Sequence, residues 1–409
     1  MKNKILYAFL AICFSCVAAA QSPGIAYGPW ITAMDETGCT ILWTSERDAL
    51  SWVELAPAQP ATQTAQPAQP ATQLAQPAAQ PAAQTAQPAA TEQEGPEYKR
   101  YYEVVAGRRL TSSFHSVRIE GLEAGRNYRY RICGCNLVDI SNPYVLKYDE
   151  PAVWTEEASF RTYSRKAEKC RFSMVNDMHF MFEKYHDLTC SLKPEDTDFL
   201  FLNGDIVTHV QSADSTVKYC IGPIEDISSS IPVFFARGNH ETKGRDSFCM
   251  KDIFPSTTGE LYYCFRQGPA FFIVLDNGGK TPDDDPGYSG DADYDNYRQK
   301  QTEWLRDVLA SPEYADAPIH VALIHMPPLG PDKVSYVQRW MSVQWVPMLN
   351  DAGLDLMLCA HQHKYHLYEP GLFGNNFPIY VNSNVDRMDV ELSIDKDSSN
   401  KKRIFVTCN

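Results

Sequence analysis

A β-sandwich followed by an α/β domain is the fold that the 409-residue sequence predicts. Three observations lead there. Up to about residue 163, short segments such as CTILWTS, YYEVVAG and SVRI mix apolar and polar residues between turn-forming ones. After Arg165, continuous apolar runs such as DFLFLN and IPVFFA alternate with segments of helical periodicity. Such runs divided by helices indicate sheets covered on both faces. Five of these runs break off into Asp, Asn or His, residues that are costly to bury unless something binds them.

The chain begins with Lys2 and Lys4, an apolar run over residues 5–17, then Ala18, Ala19, Ala20 and Gln21. Charge, short apolar core and small residues in that order read as a secretory signal over residues 1–20. An exported protein, periplasmic or secreted, is therefore expected. The run is shorter than the roughly 20 residues a membrane span needs, and no later segment qualifies, so no transmembrane segment is expected. A lipid anchor on Cys13 or Cys16 is the lesser alternative, because both have poor flanking residues. The formal charge of −14 repels nucleic-acid backbones and anionic membranes, which excludes a nucleic-acid scaffold as the expected partner. Small anions can still bind where the local charge is positive. Export permits disulfides, but the spacings after residue 20 contain no CxxC metal pair. Cys359, inside an apolar run, reads as a buried thiol.

Residues 21–163 make up the expected sandwich. CTILWTS and LSWVEL read as two strands and YYEVVAG as a third. Ser116, Val117, Arg118 and Ile119 alternate, Gly121, Leu122 and Gly125 mark a turn, and residues 128–132 alternate again, which reads as two antiparallel strands. Trp43 is expected to fill the core between two sheets. The segment is similar to a fibronectin type III module, which commonly carries the GLxxGxxY pattern seen here in Gly121, Leu122, Gly125 and Tyr128. Residues 57–95 consist mainly of Ala, Gln, Pro and Thr. With almost no large apolar residue they cannot offset ordering entropy, so a disordered or loosely extended insert is expected. Strand-like flanks on both sides make it a loop within the domain. It is a tolerated expansion on the simpler reading and a spacer or glycosylated stalk on the functional one.

Residues 164–409 make up the α/β domain. Trp304, Leu305, Val308 and Leu309 share one face of a helix near Gln301. A second helix is expected between Val337 and Leu349, with Pro347 interrupting its end.

The five broken runs carry the chemistry. CRFSMV ends in Asn176, Asp177, Met178 and His179; DFLFLN in Gly204 and Asp205; IPVFFA in Arg237, Gly238, Asn239 and His240; IHVALI in His325; LDLMLC in Ala360, His361, Gln362 and His363. One strand ending in histidine is more often a satisfied core residue than a ligand. Five in succession point to one site at the carboxyl ends of strands, where loops gather distant residues. Asp177, His179, Asp205, Asn239, His325, His361 and His363 are seven donors, too many for one tetrahedral ion. With Asp205 bridging, they divide into two sets of four. Carboxylate, amide and imidazole donors without thiolate suit two divalent ions, with Fe, Mn or Zn as candidates. Gly204 and Gly238 would let the backbone turn sharply and come close to the ions.

D-x-H, G-D, G-N-H-E, a lone His and a final H-x-H, in this order, resemble the calcineurin-like metallophosphoesterases over about residues 169–380. The preceding sandwich resembles the N-terminal domain of purple acid phosphatases. By this resemblance Asp177, His179, Asp205 and His363 hold one ion, and Asp205, Asn239, His325 and His361 the other. It implies an α/β metallophosphoesterase domain, with β-sheets flanked by helices, that hydrolyses phosphate esters. Two ions roughly 3.5–4 Å apart would hold a bridging hydroxide that attacks phosphorus in line. Their charge would offset the charge spreading over the equatorial oxygens. Asp205 and Asn239 are then catalytic as well as ligating. His240 takes the family's role of stabilising the transition state or protonating the leaving group. Glu241 is expected to orient His240, an exposed Glu being the alternative. Two residues depart from the pattern. Thr208 stands where purple acid phosphatases have a tyrosine ligand, so their tyrosinate–iron colour is not expected, and Ala360 replaces the glycine of the usual G-H-x-H.

Arg237 has two readings. R-G-N-H-E also occurs in protein serine/threonine phosphatases, where the arginine contacts phosphate, and a guanidinium suits forked phosphate contacts. Alternatively it pairs with a local acid. His209 is a second candidate substrate contact, or else structural or exposed. Asp276, ending PAFFIVLD, is expected to form a turn. DDDPGYSGDADYDNY looks like a calcium loop, yet an EF-hand begun at Asp291 would need Gly at Asn296 and Glu at Thr302. It reads instead as a solvated acidic loop near the site. The expected partner is a small phosphate ester, monoester or diester. Competing readings are another two-metal hydrolase, such as an aminopeptidase or a metallo-β-lactamase, and a cell-surface binding protein with a relic metal site. The HxHxDH cluster of metallo-β-lactamases is absent, and seven intact donors with His240 oppose a relic.

Overall fold

The computed structural model describes residues 24–58, 98–331, 334–395 and 401–409. The expected signal at 1–20 and nearly all of the Ala/Gln/Pro insert at 57–95 lie outside the described residues.

The N-terminal region is built around one 20-residue strand, Gly38–Pro57. CTILWTS and LSWVEL, expected as separate strands, are its two halves. The first half pairs with Ile25–Thr32 and Thr111–Glu120, the second with Asn127–Asp139 and Lys99–Tyr102. Its register with Thr111–Glu120 shifts between Thr44 and Ala49. There Glu46, Arg47 and Asp48 are exposed, so a bulge absorbs the charged residues while the strand continues. Thr111–Glu120 and Asn127–Asp139 pair with this long strand, where the alternation suggested that they pair with each other. Trp43 is fully buried and stacks on His115 at 5.0 Å between ring centroids. The flanks of the Ala/Gln/Pro insert pair directly, with Leu55 opposite Lys99.

The second region contains two sheets. The first has the order Val233–Ala236, Phe199–Asn203, Lys169–Val175, Met388–Asp395, Lys401–Cys408. The second has the order Tyr263–Gln267, Ala270–Leu275, Ile319–Ile324, Leu356–Cys359, Ile379–Val381, His366–Tyr368. Aromatic side chains fill the space between them: Phe199 meets Phe272 edge-on at 5.3 Å and Phe234 stacks on Phe265 at 4.2 Å. On the outer faces, Val175, Leu202 and Phe235 pack with Val217, Ile224 and Met250, while Ile273, Ile324 and Met357 pack with Leu305, Met341 and Trp345. Burial on both faces explains why these strands read as unbroken apolar runs.

The helix Tyr294–Leu309 turns Leu305 and Val308 inward, together with Arg298, Gln301 and Thr302. The helix Tyr336–Asp351 opens with a capping box between Ser335 and Gln338, which satisfies two orphan backbone donors. It continues through Pro347 to Asp351, and Val343, four residues before the proline, lies on the solvent-exposed face. Water can therefore take the carbonyl that proline leaves without a donor.

The two regions share a core. Tyr163 stacks on Phe234, Trp30 Nε1 donates to the Ile253 carbonyl at 3.0 Å, and the Tyr130 hydroxyl donates to the Ser229 carbonyl at 2.8 Å. All ten described cysteines are free, and Cys359 is among the buried ones. No helix among the described residues is long and apolar enough to cross a membrane.

Candidate metal centre

The five broken runs end along one edge of the paired sheets. Lys169–Val175, Phe199–Asn203 and Val233–Ala236 run parallel, as do Ala270–Leu275, Ile319–Ile324 and Leu356–Cys359. The loops that follow them meet. Asp177, His179 and His363 place ligand atoms within 4.8 Å of one another, as do Asp205, His325 and His361. Each group holds three of the four residues of one expected set, without Asp205 in the first and Asn239 in the second. A third group, His179, Asp205 and His240, overlaps both.

Glycine makes the close approach feasible. Gly204 has φ +76°, and a Cβ there would stand 2.6 Å from the Gly238 nitrogen and 2.7 Å from His325 Nδ1. A Cβ on Gly238 would collide with the Asp205 carboxylate and backbone. The donors themselves are held in unusual backbone conformations: φ is +54° at Asp177, +47° at His179, +52° at Asp205, +72° at His361 and +55° at His363. Left-handed conformations in such residues cost of order 1–3 kcal/mol each and persist where surrounding structure imposes them. Ordinary core histidines need no such aiming.

Neighbouring groups select which atom of each donor faces inward. Asp177 Oδ2 accepts from Asn176 Nδ2 at 2.8 Å and from the His361 amide at 3.0 Å. Asn382 Nδ2 in turn donates to Asn176 Oδ1 at 2.8 Å. His325 Nδ1 lies 2.7 Å from the Asn203 carbonyl, which fixes the proton there and leaves Nε2 as the donor atom. Asp205 Oδ1 accepts from the His240 amide at 2.8 Å, while Oδ2 lies 3.2 Å from His325 Nε2. His179 Nε2 and His363 Nε2 stand 3.3 Å apart, and the latter is 3.1 Å from Asp177 Oδ1. Asn239 Oδ1 is buried without a hydrogen-bond partner, while buried Asp177 Oδ1 and His325 Nε2 face only other candidate donors, His363 Nε2 and Asp205 Oδ2. Buried polar atoms are rarely left this way, and carboxylate, amide and imidazole donors are of the kind that hold divalent metal.

Burial opposes a charged His325, but Asp205 and Asp177 outweigh it and raise the ring to about 10. Burial works against ionised Asp205, but the His325 ring and the His240 amide outweigh it and hold its carboxyl below the usual range. Burial lowers His361 to about 4, so its ring is neutral and its lone pair is available to a metal. His240 is partly buried; its Nδ1 donates to the Thr208 carbonyl at 2.9 Å and its ring meets His179 edge-on at 4.7 Å. Thr208 thus supplies a carbonyl that orients His240.

Glu241 does not orient His240. It is fully buried, and its carboxylate accepts from the amides of Asp205 and Gly238 at 2.9 Å each and of Val207 at 3.2 Å. Its side chain turns back beneath the loops because three otherwise unpaired N–H groups lie there. Arg237 pairs with Asp276 at 2.8 Å and faces the rings of Tyr294 and Tyr297. Of its two sequence readings, the geometry displays the ion pair. Asp276 is fully buried, accepting from the Gly278 amide at 2.8 Å and the Tyr297 hydroxyl at 3.0 Å. It forms the expected turn and an ion pair as well. His209 is exposed, with its ring edge-on to Phe180 at 5.5 Å, outside the three clustered groups. In the acidic loop, Asp283 accepts the Tyr294 and Asp295 amides at 3.0 and 2.9 Å, so part of it caps a helix.

Residues 170–365 match the calcineurin-like phosphoesterase family. The matched segment holds all seven candidate donors. Among solved structures, the chain is similar to GAP50, the anchor in the inner membrane complex of Plasmodium, at 13% identity, covering 59% of this chain and 89% of that one, with a TM-score of 0.40. It is similar to phosphopantetheinyl hydrolase from Mycobacterium tuberculosis at 11% identity, covering 53% and 91%, with a TM-score of 0.34. It is also similar to the sulfate thiohydrolase SoxB of Thermus thermophilus at 14% identity, covering 57% and 43%, with a TM-score of 0.35. No curated protein sequence gives a significant match.

Proposed function

We propose that this protein is an exported phosphoesterase that hydrolyses small phosphate esters with two divalent ions. The observation that carries this reading is the clustering of Asp177, His179 and His363, and of Asp205, His325 and His361, with the ligand atoms of each group within 4.8 Å of one another. Asp177, His179, Asp205 and His363 would hold one ion, and Asp205, Asn239, His325 and His361 the other, with Fe, Mn or Zn as candidates. When bound, the ions supply Lewis-acid charge for the phosphoryl oxygens and an acidified water nucleophile.

The chain's own residues do the rest. Asp205 Oδ1 accepts from the His240 amide, which holds the carboxylate in one orientation with Oδ2 on the His325 side. Thr208 holds His240 through Nδ1, which turns Nε2 toward the cluster shared with His179 and Asp205. To protonate a leaving oxygen from Nε2, the ring must carry both protons. Export rests on the pattern in residues 1–20; mature protein from the extracytoplasmic fraction should begin near Gln21, and intact residues 1–20 there would contradict it.

The test is turnover of nitrophenyl phosphate, bis(nitrophenyl) phosphate and a panel of natural monoesters and diesters, with bound metals measured in parallel. Metal-dependent release of phosphate or alcohol supports the reading. Two tightly bound ions with no turnover of any ester would favour a binding protein with a relic site.

A further inference from the structure

We propose that Asn382 is a positioning residue that sets the affinity of one metal site, acting through Asn176 on Asp177. This inference rests on the metal centre of the phosphoesterase reading and deepens it. A residue that offers no ligand atom to either ion decides how tightly one of them is held.

Asn382 comes from the opposite sheet. It follows Ile379–Val381, the strand beside Leu356–Cys359 in the second sheet, whereas Asn176 and Asp177 follow Lys169–Val175 in the first. All three side chains are fully buried. Asn382 Nδ2 donates to Asn176 Oδ1 at 2.8 Å and to the Asp386 carbonyl at 3.0 Å. Asn176 Nδ2 donates to Asp177 Oδ2 at 2.8 Å and to the Ser383 carbonyl at 3.1 Å.

The direction of this chain is fixed by its neighbours. Each Nδ2 lies between two carbonyl or carboxylate oxygens, which accept and cannot donate. Turning either amide over would set oxygen against oxygen. Asn382 therefore holds Asn176 with its NH2 group toward Asp177. That group holds Oδ2, which leaves Oδ1 on the side of His363 Nε2, 3.1 Å away. The loop carrying Asn382 is braced independently. Its amide donates to the Cys359 carbonyl at 2.9 Å, and Ser383 Oγ donates to Asp386 Oδ2 at 2.6 Å and accepts the Val385 amide at 3.2 Å. None of these three contacts uses the Asn382 side chain.

The effect is confined to one donor set. Asp177 clusters with His179 and His363. In the other set, Asp205 is held by the His240 amide and His325 by the Asn203 carbonyl, and neither contact involves Asn382 or Asn176. Without Asn382 Nδ2, the buried Asn176 Oδ1 loses its donor and the amide is free to turn. Asp177 Oδ2 then keeps the His361 amide at 3.0 Å but loses its second anchor.

The test titrates zinc into metal-free protein against a chelating dye, which resolves the binding steps. Asp177→Ala identifies the step that belongs to its donor set. Asn382→Leu keeps a similar side-chain shape and removes both donated hydrogen bonds. It should weaken the Asp177 step about 10–100-fold, the usual worth of a group that orients a metal ligand, and leave the other step unchanged. Asn382→Ser, small and polar, repeats the measurement if the leucine variant does not fold. Urea unfolding of the metal-free proteins runs in parallel. A merely structural role would weaken both steps together with the unfolding midpoint; that result, or no change in either step, would overturn the proposal. Failure of the phosphoesterase reading shows separately, as two bound ions in wild type without turnover of any ester, and the zinc titration then still decides the role of Asn382. Wild type that binds no zinc would overturn the proposal together with the metal centre.

Discussion

Replacing Glu241 with glutamine tests how the metal-bearing loops are held. One carboxylate oxygen accepts the amides of Asp205 and Gly238 at 2.9 Å each, and the other accepts Val207 at 3.2 Å. Glutamine keeps an acceptor on only one side. In its better orientation the carbonyl serves Asp205 and Gly238, and the NH2 group confronts the Val207 N–H. One buried donor is then unsatisfied, a loss of about 1–3 kcal/mol. The side chain is fully buried, so water cannot step in. Alanine strands all three amides and opens a cavity, which puts the loss at roughly 3–5 kcal/mol. Urea unfolding followed by tryptophan fluorescence measures both, and metal analysis after dialysis reports whether Asp205 still sits correctly. We expect Glu241→Gln to fold with a lowered midpoint and weakened metal retention, and Glu241→Ala to be worse on both counts. Wild-type stability and full metal content in both variants would refute the claim that this carboxylate clamps the loops.

Two further outcomes are expected. His240→Ala should slow alkyl phosphates far more than nitrophenyl phosphate, because an alkoxide needs a proton that a nitrophenolate does not, an effect typically of 10²–10⁴-fold; kcat/KM on both esters checks this, and equal losses would leave His240 without a proton-transfer role. His115 is buried between Ser45 and Ser51, and burial lowers its pKa from 6.5 to about 4. The unfolded chain therefore binds the proton more readily, so this contribution to stability is complete above about pH 6.5 and is lost as pH falls toward 4, by about 3 kcal/mol. Denaturation of wild type and His115→Gln across that range should show a shallower pH slope in the variant, and identical slopes would contradict it.

The placement of the site was legible because its residues break physical rules that the rest of the sequence obeys. Asp177, His179, Asp205, His325, His361 and His363 end apolar runs, where polar groups are costly unless bound, and Gly204 and Gly238 mark the close approach. The alternation of covered strands and helices likewise followed from continuous apolar runs. What stayed hidden depended on contacts between loops. Glu241 follows His240 in sequence, yet its side chain turns toward amides contributed by the Asp205 loop. Asp276 looked like a turn former because the sequence does not show that Arg237 arrives beside it from the other sheet. In the N-terminal region, CTILWTS and LSWVEL read as two strands, since a bulge that lets one strand continue past charged residues has no distinct sequence signature.

The central claim is that two divalent ions share Asp205 at the edge of the paired sheets. It is tested most directly by measuring tightly bound divalent metal per chain, by inductively coupled plasma mass spectrometry, in wild type and Asp205→Ala. The account predicts close to two ions in wild type and neither in the variant, because the lost carboxylate faces both donor sets. Two ions retained by Asp205→Ala, or none in wild type after reconstitution with iron, manganese or zinc, would contradict it.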